Sequence, residues 1–429
     1  MRDHVILGHC LEALRGLPES SVHCVLTSPP GYGLSDPTAP SAHWPEVRLS
    51  LVPGEPAIVV ASAALALGEE PRVRDYVAHL VEVMREVRRV LRPDGTAWLH
   101  VGNPYRPGRD VKRKDLAGVP WRIALALQAD GWWVRSEIVW LKPNAIPEPV
   151  TDRPTRAHDH MFLLTRSKQY FYDSDAVREP HLCVDPIDHP HGKNLRSVWP
   201  IRTGSRQESF QTLPEQVIDR CLRLGAGCAG ACPRCGAPLV RKVERRGYGT
   251  AGVKLRDVVT LGFVPSCACP REEPVPCVVL DPFAGAGTTL FTAKMLGLDF
   301  IGIEIDPIRV ERMREKLSAP IENAAQRALF RSVMSDKLVV KEPPGGRDHV
   351  GPQDVGLGHG LSDGDVVADD PVPVGDELAD EPAIDSVGAV PKDEGLTAIT
   401  TTDKVADVVQ AHVADHDGTA VIDDLDDRA

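Results

Sequence analysis

The stretch CVVLDPFAGAGTTLFTAKMLGLDFIGIEID, Cys277 to Asp306, decides the fold. Its first apolar run reads as a buried strand ending at Asp281, and Gly285 and Gly287 mark a turn. A helix then runs to Leu296, and a second apolar run reads as a strand ending at Glu304. This is the pattern of a nucleotide-binding βαβ unit. The glycines let backbone approach a ligand closely, and an acidic residue about 20 positions beyond the turn is placed for ribose hydroxyls. No Gly-Lys-Ser/Thr follows, which excludes a phosphate loop, and GAGTT lacks the third glycine of the dinucleotide fingerprint.

Outward from that unit the alternation continues. Tyr76 to Leu91 places Val77, Leu80, Val81, Met84, Val87 and Leu91 on one helical face, and RPDG turns the chain into the strand TAWLHVG. Pro120 opens a helix that ends at Gly131, WWVRSEIVWL follows as a strand, and Leu213–Leu224 and Pro307–Leu317 are two further amphipathic helices. Strands alternating with helices of this length predict an α/β fold: a doubly wound, mostly parallel Rossmann-like sheet with ligands at the carboxyl ends of its strands.

Composition sets the boundaries. The 429 residues, 42% hydrophobic, suffice for one large domain with additions. No opening segment reads as a secretion signal, and no run approaches the roughly 18 apolar residues of a membrane helix, so a cytoplasmic protein without membrane contact is expected. The net charge of −12 is unevenly placed: 22 Asp/Glu stand against 5 Lys/Arg from Lys341 onward, which leaves 39 acidic and 44 basic residues before it. The acidic tail has almost no aromatics and no periodicity, and is expected to be disordered.

DPFAGAGTT followed by FIGIEID resembles the S-adenosylmethionine site of amino-DNA methyltransferases, and TSPP, Thr27–Pro30, resembles their catalytic loop. The catalytic loop comes first and the cofactor loop last, the order of the family's beta group. RRVLRPDGTAWLHVGN, the segment from Ala117 to Ser167, and NLRSVWPI with SFQTLPEQVIDRC resemble successive segments of the same enzymes, so the likeness runs from Val5 to about Leu317. It implies a site-specific methyltransferase of double-stranded DNA that modifies an exocyclic amine of a flipped base. Serine before Pro-Pro leans toward N4 of cytosine; N6 of adenine, and a catalytically weakened DNA-binding relative, are the alternatives. No nuclease motif is seen, so a cognate restriction endonuclease would be a separate protein.

The chemistry suits the residue types. A base amine is a poor nucleophile because its lone pair is delocalised, and two acceptors holding its N–H groups favour attack on a methyl donor. Ser28 Oγ and the Pro29 carbonyl are suited to that task, with Pro29 and Pro30 stiffening the loop. The resemblance assigns Asp281, Phe283, Gly285, Gly287, Thr288, Thr289 and Glu304 to the cofactor, with Phe210 and Pro214 closing over its methionine part. Two positions depart from the family. Gly31 stands where an aromatic stacks on the base, so Tyr32 either takes over stacking or forms a wall; His9 stands where an aspartate lies near the adenine.

Five of the ten cysteines fall between Cys228 and Cys269. Cys232 and Cys235, then Cys267 and Cys269, flank a roughly 30-residue excursion, a spacing that points to a structural zinc with Cys228 as an alternative ligand. Arg241, Lys242, Arg245, Arg246 and Lys254 on that excursion are candidate phosphate contacts, and Lys142, Asn144, Arg153 and Arg156 a candidate pocket rim. The expected organisation is a catalytic part with target-recognition loops in residues 1–227, a zinc-ribbon-like insertion in 228–270, the S-adenosylmethionine-binding part in 271–330 and the acidic tail in 331–429.

Overall fold

The computed structural model describes residues 3–33, 40–105, 108–179, 192–203, 213–248 and 255–318; Phe210, Cys183 and the acidic tail lie outside them. The chain begins with β1 (His4–Leu7), α1 (Cys10–Arg15) and β2 (Val22–Thr27). Two small antiparallel pairs follow, β3 (Ala42–Trp44) with β6 (Ala63–Leu65) and β4 (Val47–Leu49) with β5 (Ile58–Val60). Next come α2 (Val73–Val90), β7 (Leu91–Val101), α3 (Val119–Ala129), β8 (Trp133–Leu141) and β9 (His158–Thr165). A short pair, β10 (Arg178–Glu179) with β11 (Lys193–Asn194), precedes β12 (Val198–Pro200) and α4 (Glu215–Gly225). A hairpin of β13 (Leu239–Tyr248) and β14 (Leu255–Pro265) leads to β15 (Val278–Asp281), α5 (Thr288–Met295), β16 (Asp299–Glu304) and α6 (Pro307–Ser318).

Eight strands form one sheet in the order β1-β16-β15-β2-β7-β9-β8-β12, and within it only β9 runs against its neighbours. Its central strands are buried along their whole length, as strands covered on both faces must be: Val22–Thr27, Val278–Asp281 and Asp299–Glu304 each carry only buried residues. Alternation sends Val25, Leu99 and Ile303 into one core with α1, α2 and α3, and Leu26, Trp98 and Phe300 into the other with α4, α5 and α6. The doubly wound Rossmann-like sheet is therefore the observed fold. One local expectation is corrected: RPDG is not a turn but the opening of β7, where the pairing with β2 shifts register between Val22 and Cys24.

The sheet changes winding direction between β15 and β2, and in such sheets ligands bind beyond the carboxyl ends at that point. Those ends carry Asp281 and Thr27. Because β9 is reversed, its first residues, His158 to His160, lie beside the last residues of β7 and β8.

Candidate functional site

The crevice is built around Asp281. Its Oδ1 accepts from Thr27 Oγ1 at 2.7 Å and from the Phe283 amide at 3.1 Å, which ties the end of β2 to the glycine turn. Burial pushes the carboxyl up to about 6, against the pull of Thr27, Thr289 and the Phe283 amide. Gly285 and Gly287 have φ of +53° and +74°, the left-handed region that glycine fills without strain. A Cβ on Gly287 would meet Met313 Cγ at 2.5 Å, whereas one on Gly285 would find nothing nearer than 3.9 Å, so the turn is packed behind and open in front. Thr288 and Thr289 open α5. Glu304 Oε2 accepts from the Gly285 amide at 2.8 Å, and Oε1 from the amides of Ile305 and Asp306 at 3.0 Å, which leaves Oε2 an acceptor position to spare. Next to it the Gly8 amide donates to the Glu304 carbonyl, and His9 Nε2 is buried with no partner among the described residues. Burial lowers the His9 pKa, so the ring is neutral near pH 7. An open glycine turn, a spare carboxylate acceptor and an orphaned ring nitrogen together fit an adenosyl group.

The loop after β2 is fixed from behind. Tyr76 Oη donates to the Pro30 carbonyl at 2.7 Å, and the Gly33 amide to the Gly68 carbonyl at 2.8 Å. A Cβ on Gly68 would stand 2.6 Å from the Gly31 carbonyl oxygen, so this part of the loop lies against backbone, with Gly31 buried. Gly68 is itself held by Glu70, and Glu70 by His79 at 2.8 Å, under the ring of Trp44. Tyr32 is 1% exposed and its ring packs 5.8 Å from that of Tyr76. Of the two roles open to Tyr32, the geometry matches a wall residue; stacking on a base would require its ring to leave the core.

Ser28 is partly exposed at the mouth, and its Oγ lies 2.8 Å from His100 Nδ1. His100 Nε2 lies 3.2 Å from Asp159 Oδ2, which also receives the Lys142 ammonium. Burial raises the Asp159 pKa, but His100 and Lys142 outweigh it and hold the carboxyl well below the usual range. Asp159 is therefore an acceptor, and with His100 Nε2 donating to it, Nδ1 is the ring nitrogen placed to accept from the Ser28 hydroxyl. Neither His100 nor Asp159 was among the residues the sequence pointed to. The signal was there, two titratable residues inside the apolar runs WLHVG and HDHMFLL, but only the sheet brings them together.

The polar residues expected along the rim are engaged internally. Lys142 holds Asp159, Arg153 binds Glu148 and covers the Tyr105 ring at 3.9 Å, Arg156 donates to the Asn103 carbonyl, and Asn144 exchanges hydrogen bonds with the Thr203 backbone. Arg241 is likewise paired to Asp173 at 2.7 Å, so it braces the hairpin rather than standing free for phosphate; the side chains of Arg245, Arg246 and Lys254 lie outside the described residues. Pro214 caps the start of α4.

The thiols of Cys232, Cys235, Cys267 and Cys269 converge with all four sulfurs within 4.8 Å of one another, and Cys228 is not among them. Tetrahedral Zn–S bonds of about 2.3 Å place sulfurs about 3.8 Å apart, so this donor set fits a zinc ion. Backbone amides of Cys235 and Arg234 lower the Cys232 thiol to about 7, while contact with Cys235 and burial push Cys269 up to about 12. The cluster stands at the amino ends of the strands. His23, at the start of β2, bonds the Gly236 carbonyl at 2.8 Å and accepts from the Val278 amide, and Arg92 at the start of β7 donates to the Cys235 carbonyl. Cys10 and Cys24, by contrast, are core thiols raised to about 12 by burial.

A doubly wound sheet with an adenosyl-type crevice and a Ser-Pro-Pro loop at its switch point defines the amino-methyltransferase class. The DNA methylase family model, for N6 and N4 methyltransferases, matches residues 22–226 and 277–315. The type II methyltransferase M.SmaI of Serratia marcescens is 31% identical over 338 residues, 73% of this chain and 90% of that protein. M.XycI of Xanthomonas campestris pv. cyanopsidis is 32% identical over 340 residues, 74% and 88%. The solved PvuII DNA methyltransferase (cytosine-N4-specific) superposes with a TM-score of 0.46 at 14% identity, covering 78% of this chain and 93% of that one. The chain belongs to the N6/N4 DNA methylase family, and is a site-specific, S-adenosylmethionine-dependent DNA methyltransferase. Among the described residues no helix is long and apolar enough to cross a membrane.

Proposed function

We propose that this enzyme methylates N4 of cytosine in double-stranded DNA, with Ser28 holding the amine. The observation that carries the reading is the position of Ser28, at the carboxyl end of β2 with its hydroxyl bonded to His100 and its neighbour Thr27 bonded to Asp281 of the glycine turn. S-adenosylmethionine supplies an electrophilic methyl group. The glycine turn, Glu304 and His9 would hold its adenosine part, and Pro214 with Phe210 its methionine end. Ser28 Oγ and the Pro29 carbonyl accept from the amine and orient its lone pair, while the Pro30 carbonyl is already engaged by Tyr76. The serine before Pro-Pro favours cytosine over adenine. Zinc held by the four clustered cysteines serves structure, at the far end of the sheet from this loop. On the likeness to type II methyltransferases, the enzyme works beside a restriction endonuclease made as a separate protein.

Tritium transfer from labelled S-adenosylmethionine to unmethylated DNA should depend on Ser28, with Ser28→Ala slowing it on the order of 10²-fold or more. Counts that are absent for the wild type on every DNA, or unchanged by the substitution, would sink the reading. Nucleoside mass spectrometry of the product should show N4-methylcytosine; N6-methyladenine alone would replace cytosine as the target.

A further inference from the structure

We propose that His100, oriented by Asp159 and Lys142, acts through Ser28 as the reservoir for the proton that the base amine sheds during methyl transfer. The inference rests on Ser28 being the acceptor of that amine. When the amine's lone pair forms the N–C bond, the electrons of the broken S–C bond stay on sulfur and the nitrogen carries one proton too many. The Ser28 hydroxyl lies 2.8 Å from His100 Nδ1, the nitrogen placed to accept when Nε2 donates to Asp159. As the amine's proton passes to Ser28 Oγ, the hydroxyl's own proton passes to His100 Nδ1. The resulting imidazolium is paired with the ionised Asp159, 3.2 Å from Nε2, and returns its proton to solvent once product leaves.

The surroundings make His100 a proton site rather than a packing residue. It is buried at the end of an apolar strand, where a charge is tolerated only beside a counter-charge. Its pleat face carries Met161, Ile138, Asp159 and Trp140, with Ser28 reaching it from β2 and Lys142 from beyond β8. The charged groups of α4, packed on that face, are Glu215, which is exposed in its first turn, and Asp219, Arg220 and Arg223, with Asp219 bound to Arg223. His160 and Glu137 pair with each other on the opposite face. His100 and Lys142 together hold Asp159 ionised against its burial, so it is a carboxylate that faces His100.

The test is single-turnover methyl transfer from about pH 5 to 9, with binding of DNA and S-adenosylmethionine measured in parallel. The wild-type rate should fall on the acid side, because a doubly protonated imidazole accepts nothing from Ser28. His100→Asn keeps an acceptor for the hydroxyl but takes up no proton. It should bind both ligands as the wild type does, turn over slower by on the order of 10²-fold, and lack the acid limb. If His100→Asn melts out, Asp159→Asn answers the same question: with the counter-charge gone, the acid limb should move to lower pH. A His100→Asn enzyme with the wild-type rate and the wild-type limb, or an unmoved limb in Asp159→Asn, overturns the proposal. Either result leaves the cytosine reading standing if Ser28→Ala is still inactive; loss of Ser28 dependence removes both.

Discussion

Asp281 and Asp159 are buried carboxylates with opposite electrostatic fates, and the contrast shows what each does. Asp281 has hydroxyl and amide donors but no cation among the described residues, so burial dominates and its carboxyl rises to about 6. Asp159 has His100 and Lys142 and is held low. A carboxyl whose folded pKa exceeds its unfolded value of about 3.9 binds its proton more tightly when folded, so stability is lost as pH rises between about 4 and 6, by about 3 kcal/mol in all. Asp159 acts the other way: its contribution is present above about pH 4 and is lost as pH falls further. Asp281→Asn keeps an acceptor for Thr27 and cannot ionise. Relative to wild type it should therefore gain stability as pH climbs from about 4.5 to 7, measured by urea unfolding at both values. A constant difference between the two proteins would show that the Asp281 carboxyl is not the group that titrates.

At the level of elements, the hairpin and its cysteines are rooted away from the Ser-Pro-Pro loop. His23 and Arg92 anchor the knuckle to the first residues of β2 and β7, and the Val278 amide ties the start of β15 to His23, while Thr27 and Asp281 sit at the last residues of the same sheet. A metal bound there would brace the amino ends of β2 and β7, with β15 joined to them through His23. Metal analysis of the purified protein should find one zinc per chain, and stripping it with a chelator should lower the melting temperature by on the order of 5 °C or more. Protein that stays folded at low temperature should keep its S-adenosylmethionine affinity, since no ligand of the crevice comes from the knuckle. An unchanged melting temperature on chelation would remove zinc from the structure's support. The spacing of the cysteines pointed to this cluster, but its docking site was hidden, because His23 lies 213 residues from Gly236 and meets it only through the sheet.

Across the whole molecule, what was legible in the sequence is what adjacent residues determine. The βαβ unit from Cys277 to Asp306 could be read because strand, turn and helix follow one another, and the same holds for α2 and α4. The reversal of β9 could not, since an apolar run does not state its direction, and that reversal delivers Asp159 to His100 from 59 residues away. Two readings were open for Tyr32 from the sequence, and its packing against Tyr76 beside the excursion through Gly68 favours the wall. Charge distribution, in contrast, needs no fold to be read. With 22 acidic residues from Lys341 onward, the chain is net negative at −12, yet the preceding part holds 44 basic against 39 acidic residues. A polyanionic segment tethered to a DNA enzyme competes with phosphate for its cations and repels the duplex at long range. Ending the chain after Val340 should therefore tighten binding to non-specific duplex by about 10-fold at about 50 mM salt, and by little at about 300 mM, where the Debye length is short. The single-turnover rate at saturating DNA should not change, because the crevice residues all precede the cut. Equal affinities at low salt would mean that the tail's charge is not felt at the DNA-binding face.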